Sequence, residues 1–318
     1  MMKYELSQGA YRDFLNTATY TQQNNHFYFS NPPSSPIGTF IHSNTVRQKL
    51  GIAVPGIDPG TPAIIGCDAD NDNIFNEPGD GEWLPVSNVT WQQNAAYLDW
   101  AGLRPMTELE YEKVCRGPLT PVAGEYAWGD SSIANFFYTF TNLNFNNESS
   151  SNSSAVFGNA IANGTTAPSV NIIFRGGIFA TQISTRISAG AGYYGVMVLT
   201  GNLIEYAVTI ANIAGRAYNG KHGDGELTVQ GNANENNWPG VNGATGSTVA
   251  PGIYNGGFGV NSDGGTRQKG GNWNTDNFGI DQSLRISWRF GNANGIIVLS
   301  NTSPGSPVSG IRGVRDAN

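Results

Sequence analysis

Residues Asn88 to Gly117 read NVTWQQNAAYLDWAGLRPMTELEYEKVCRG and contain two complete helix signatures in succession. Thr90 with Gln93 is a capping box, in which the hydroxyl accepts from an unpaired first-turn amide while the glutamine side chain reaches back to the cap. Trp91, Ala95, Leu98 and Ala101 recur near helical spacing, and Gly102 supplies a residue able to turn left-handed at the end. Pro105 forbids continuation. Thr107 with Glu110 repeats the capping box, Tyr111, Val114 and Cys115 form the apolar stripe, and Gly117-Pro118 closes the unit. The stretch predicts two short helices meeting at an elbow, Leu103-Arg104-Pro105.

Outward from this unit, only 13% of the 318 residues are charged, 42 are glycine, and Asn, Ser and Thr crowd the connecting segments. Such a composition suits a fold held by buried turns better than a helical bundle. The formal charge of −7 opposes binding to a phosphate backbone, so nucleic acid is not expected as a partner. No apolar run approaches the roughly 20 residues that cross a bilayer, and no membrane span is expected. Two cysteines, Cys67 and Cys115, are too few for a disulfide scaffold and are expected as separate buried thiols rather than a pair.

Along the chain, Ser7 is placed to cap a helix through Leu15 with Tyr11, Phe14 and Leu15 inward. Residues 17–66 show poor periodicity and predict a long irregular excursion with short strands at most. Residues 139–166, rich in Asn, Ser and Gly, predict a surface insertion. Tyr193, Tyr194, Val196, Met197 and Leu199 predict a close-packed block. His222, in a Gly-rich loop, is expected at the surface, and Trp238-Pro239 to pin residues 232–263 to the body. Near the end, Leu284, Ile286 and Trp288 alternate with Arg285, Ser287 and Arg289, the period-two pattern of a strand.

The sharpest chemical signal is DADNDNIFNEPGD, residues 68–80. Carboxylates at alternate positions, Asp68, Asp70 and Asp72, converge when the chain coils tightly, and without a cation they repel. The carbonyl of Ile74, the side chain of Asn76 and a closing Asp80 extend an oxygen shell suited to structural Ca2+. Asn73 stands where the usual loop has Gly, a mild departure because Asn tolerates the left-handed conformation. The closing acid falls one residue late, with Glu77 as the alternative.

The stretch from Asn88 to Gly117 resembles the signature of the formylglycine-generating enzyme (sulfatase-modifying factor) superfamily. Further stretches resemble that family in the same order: Lys3 to Leu15, Tyr126 to Asp130, Tyr194 to Glu205, Gly270 to Trp273 and Gly310 to Arg312. The resemblance implies an α+β fold, the formylglycine-generating-enzyme type of the C-type lectin-like fold, loop-rich with short strands and a few short helices. It implies one domain over residues 1–318, lacking the family's first strand or forming part of a longer chain. It also implies a structural calcium at the turn where Asn202 and Glu205 match the family's ligands, although Ile204 and Tyr206 replace the expected tryptophans.

In that family the oxidising branch holds copper on a cysteine pair soon after the motif that Gly270 to Trp273 matches, and the iron-dependent branch uses three histidines. Residues 270–289 contain no cysteine, and His26, His42 and His222 are scattered, so neither copper nor iron is expected. A non-catalytic module exposed outside the cell or on a virion follows, similar to the variable proteins of diversity-generating retroelements. Its contact surface for a protein or cell-surface ligand is expected at Trp273, Asn274, Asp276, Asn277, Phe278, Trp288, Phe290, Asn292 and Asn294, where aromatic and small polar residues mix. Alternatives are a structural subunit that packs against copies of itself, and a metal-dependent oxidase-like enzyme.

Overall fold

The two signatures fold as written. Helix α3 spans Trp91–Trp100 and α4 spans Glu108–Arg116, and in each the capping threonine and the glutamine or glutamate three residues on make both reciprocal bonds. Gly102 turns left-handed at φ 63°. The elbow is more than a turn. Arg104–Pro105 forms strand β3, which pairs antiparallel with β9, Gly313–Val314, so the far end of the chain closes on the helix pair. The computed structural model describes residues 1–27, 31–42, 47–162, 173–241, 259–262, 264–274, 282–289 and 309–316.

Helix α1, Gln8–Thr17, starts at Ser7, whose hydroxyl accepts from Ala10 N, and buries Tyr11, Phe14 and Leu15. Residues 17–66 are more regular than their composition suggests. Helix α2, Tyr20–His26, begins with a third capping box, Thr19 with Gln22, and an antiparallel hairpin joins β1, Leu50–Val54, to β2, Ile64–Cys67. A further hairpin, β4 (Phe140–Thr141) with β5 (Ser149–Ser150), lies inside 139–166, and its Glu148 is fully buried against Arg47. Strand β6, Ile204–Val208, is wholly buried between antiparallel β7, Thr266–Lys269, and parallel β8, Ser309–Gly310. Short α5, Ile213–Arg216, follows β6. The result is a mixture of small helices and small sheets, with no barrel among the described residues.

The largest core cluster packs α1 and α3 against the first hairpin and Tyr206, Trp238 and Ile311. Helix α3 is buried from Trp91 to Asp99 rather than along one stripe, so it runs through the interior. Both ends of the chain are tied to each other, Met2 N donating to Gly313 O and Leu6 N to Ile311 O, each at 2.9 Å.

Two local expectations change. Tyr193 and Tyr194 are 41% and 58% exposed and stack edge to face at the surface, while Val196 and Leu199 alone enter the core. The alternating segment at 282–289 is not a strand: a 3-10 turn spans Gln282–Leu284, and Leu284 and Ile286 reach the core from irregular backbone. No helix among the described residues is long and apolar enough to cross a membrane.

Candidate functional site

Strand β2 ends at Cys67 and runs directly into the acidic loop. Asn71, Asn73 and Asn76 adopt φ of 63°, 67° and 66°, the left-handed turns that coil it. Asp68 oxygens accept from the amides of Asp72 and Asn73, Asp70 Oδ1 accepts from Asp72 N, and Asp72 Oδ1 accepts from Ile74 N. These bonds bring ligand atoms of Asp68, Asp70 and Asp80 within 4.8 Å of one another, with Asp70, Asp72 and Glu77 forming an overlapping group. Asp80 is 1% exposed. Its Oδ2 accepts from Glu77 N, Oδ1 has no hydrogen-bond partner among the described residues, and burial raises its pKa. A cavity of about 220 Å³ lies against Asp80 and is bounded by Trp83 and Asn144. Asn76 is engaged elsewhere, its Oδ1 accepting from Cys67 N and from Arg12.

The other expected ligands sit in a buried polar network. Asn202 Oδ1 accepts from Phe174 N while its Nδ2 donates to Glu5, and Glu205 pairs with Arg312 at 2.5 Å, both partners about fully buried. Leu203 N also donates to Glu5. Burial raises the Glu5 carboxyl to about 8, with Arg312 opposing the shift and Glu205 adding to it.

Glu5 lies at the margin of a broad cleft of about 880 Å³, whose walls include Lys3, Tyr4, Trp83, Tyr97, Asn146 and Arg175. Tyr4 and Trp83 are 38% and 55% exposed. The size falls in the range of small-molecule sites, and exposed aromatic faces beside a few cationic and amide groups are the usual lining. Trp83 and Asn146 border both this cleft and the smaller cavity at Asp80. None of these residues carries a sequence pattern that nominates it: the cleft is assembled by the ends of distant segments.

The expected contact surface divides. Trp273 is 8% exposed and packs with Phe174, Phe179 and Leu203, whereas Asn274 is exposed and Trp288 half-buried. Asp276, Asn277, Phe278, Phe290, Asn292 and Asn294 lie outside the described residues.

The cysteines are free and separately buried. Burial pushes the Cys67 thiol up to about 12 and the Cys115 thiol further, so neither is a ready thiolate. His26 and His42 are buried and lowered to about 4 by desolvation. Tyr11 contacts both: its hydroxyl meets His26 and its ring packs on His42. His222 accepts from Asp316 N elsewhere. Among the described residues, no cysteine or histidine enters a metal-sized group. The cysteine-held copper and histidine-held iron that the resemblance implies therefore do not fit these residues.

Comparison with known proteins adds the decisive fact. The sulfatase-modifying factor enzyme 1-like domain matches residues 1–212. The chain belongs to that family. It is 30% identical to the formylglycine-generating enzyme of Mus musculus over 123 residues, 37% of this chain and 31% of that protein. It is 37% identical to the hercynine oxygenase of Mycolicibacterium smegmatis over 90 residues, 27% of this chain and 18% of that protein. It is 48% identical to the formylglycine-generating enzyme of Streptomyces coelicolor over 46 residues, 14% of each. The chain thus spans about a third of the mouse relative's length and less of the others. These relatives are named as enzymes, which overturns the expectation of a non-catalytic binding module. Absence of thiol and imidazole ligands at the expected positions does not by itself remove catalysis.

Proposed function

We propose that this chain is an oxidising enzyme of the family, taking an amino-acid-type substrate, free or within a peptide, into the cleft beside Glu5. The observation that carries the reading is the position of that cleft: every lining residue, from Met2 to Gly176, falls inside the stretch matched by the enzyme family. Trp83, Tyr97 and Tyr4 offer apolar faces, Arg175 and Lys3 offer positive charge to a carboxylate, and Glu5 holds a proton near neutral pH for exchange at the cleft margin. No copper or iron step is assigned to these residues.

The same reading takes residues 1–318 as one loop-rich domain of C-type lectin-like form, supported by the strand pairs that join β3 to β9 and β6 to β8. It also places structural Ca2+ at Asp68, Asp70 and Asp80, where it would fix the loop that leads into Trp83. An extracellular or surface setting, where calcium reaches the millimolar range that weak sites need, suits that ion.

Oxygen uptake measured with the purified chain as isolated, and offered in turn a cysteine-containing peptide and hercynine, tests the activity. Substrate-dependent uptake is expected, with Trp83→Ala and Arg175→Met raising KM more than they lower kcat. Absence of uptake under every condition, or uptake indifferent to both variants, would reject the cleft.

A further inference from the structure

We propose that Asp99, Asp224 and Glu235 form a binding site for a hard divalent cation of the Ca2+ class, distinct from the acidic loop, fastening α3 to residues 219–241. Asp99 lies one residue before the end of α3 and is fully buried, Glu235 is 2% exposed, and Asp224 is exposed at the mouth. Ligand atoms of all three lie within 4.8 Å of one another. Oxygens held at calcium distance from a common centre fall within about 5 Å of each other, so the spacing matches a partial shell.

The second observation is an unmatched buried oxygen. Glu235 Oε2 meets Lys221 Nζ at 2.8 Å, while Oε1 is buried with no hydrogen-bond partner among the described residues. A buried carboxyl oxygen left in that state is costly, and such groups in native proteins call for a partner such as an ordered water or an ion. Lys221, 55% exposed, is the ammonium paired here, and one ammonium does not neutralise three carboxylates. Burial raises Asp99 to about 6 against the lowering effect of two backbone amides, with repulsion from Asp224 and Glu235 adding to the rise.

Those amides preorganise the site. Asp99 Oδ1 accepts from Asp224 N and Oδ2 from Asn234 N, each at 2.9 Å, and each oxygen keeps a lone pair for a cation. Gly223 packs so closely that a Cβ there would lie 2.3 Å from Asp99 Cα. Trp238 Nε1 donates to Lys221 O at 3.0 Å, which holds the segment carrying the paired ammonium. Two carboxylates from one loop are thereby held against a third from the helix, independently of the catalytic reading.

Terbium luminescence tests the site, because Tb3+ replaces Ca2+ and Trp238 stands nearby as sensitiser. The full chain carrying Asp80→Asn, which disables the acidic loop, should still bind Tb3+ and release it to Ca2+. Adding Glu235→Gln or the exposed Asp224→Asn should weaken binding by about tenfold or more, since affinity follows ligand charge. Adding Lys221→Met should strengthen it by removing the competing ammonium, a gain that a misfolded variant would not produce. Titrations unchanged by Glu235→Gln and Lys221→Met, or luminescence abolished by Asp80→Asn alone, would overturn the proposal.

Discussion

Glu5 shows how one buried carboxyl links stability to chemistry. An unfolded glutamate titrates near ~4.3, whereas burial holds Glu5 at about 8, so between those values the folded state keeps a proton that the unfolded state has released. Its contribution to stability is complete below the unfolded value and is lost as pH rises through the folded one. Denaturant unfolding of Glu5→Gln is accordingly expected to lose part of the decline in stability that the wild type shows between about pH 5 and 8. An unchanged pH slope would place the Glu5 proton elsewhere. Sequence could not reveal this, because the carboxyl is set by Asn202, Leu203 and Arg312, nearly 200 residues or more away. Trp273 teaches the converse: an aromatic among small polar residues reads as a contact group until its neighbours Phe174 and Leu203 enclose it.

Capping chemistry was the most legible feature at the level of elements. Thr90 and Thr107 announced their helices, and Thr19 with Gln22 carried the same signature for α2 within a stretch read as irregular, because its polar residues lack an apolar stripe. Glu110 is the more connected partner, accepting from Thr107 N and from both terminal nitrogens of Arg104. Thr107→Ala is expected to cost about 1 kcal/mol by urea unfolding, the usual loss for an N-cap. A change indistinguishable from zero would mean that Arg104 alone sets the start of α4. Period-two alternation misled at 284–288, since side chains can alternate between core and solvent along irregular backbone without a partner strand. The acidic loop was legible in outline, its closing Asp80 included, but its bonding draws Asn76 to Arg12. The group at Asp99 joins that residue to carboxylates 125 and more positions away and left no local pattern.

Across the whole molecule, the family and the mixed α and β character were legible because short motifs recur in order, while the enzymatic conclusion came only from the named relatives. Ligand chemistry alone pointed the other way: the two thiols and two of the three histidines are buried. If calcium joins Asp68, Asp70 and Asp80, it binds the native state selectively, and saturation at about 100 Kd should add roughly 2.7 kcal/mol. Thermal melts with calcium and with chelator should therefore differ for the wild type, and the acidic-loop component of that difference should vanish in Asp80→Asn. Identical wild-type melts at saturating calcium would remove the ion from the account. The central claim remains that catalysis occurs in the cleft and uses the Glu5 proton. Its most direct measurement is the pH dependence of kcat/KM for substrate-dependent oxygen uptake in the wild type and Glu5→Gln. The account predicts an ionisation near pH 8 in the wild type that disappears in the variant, with kcat/KM reduced by about 10²-fold or more. Superimposable profiles for the two proteins would contradict it.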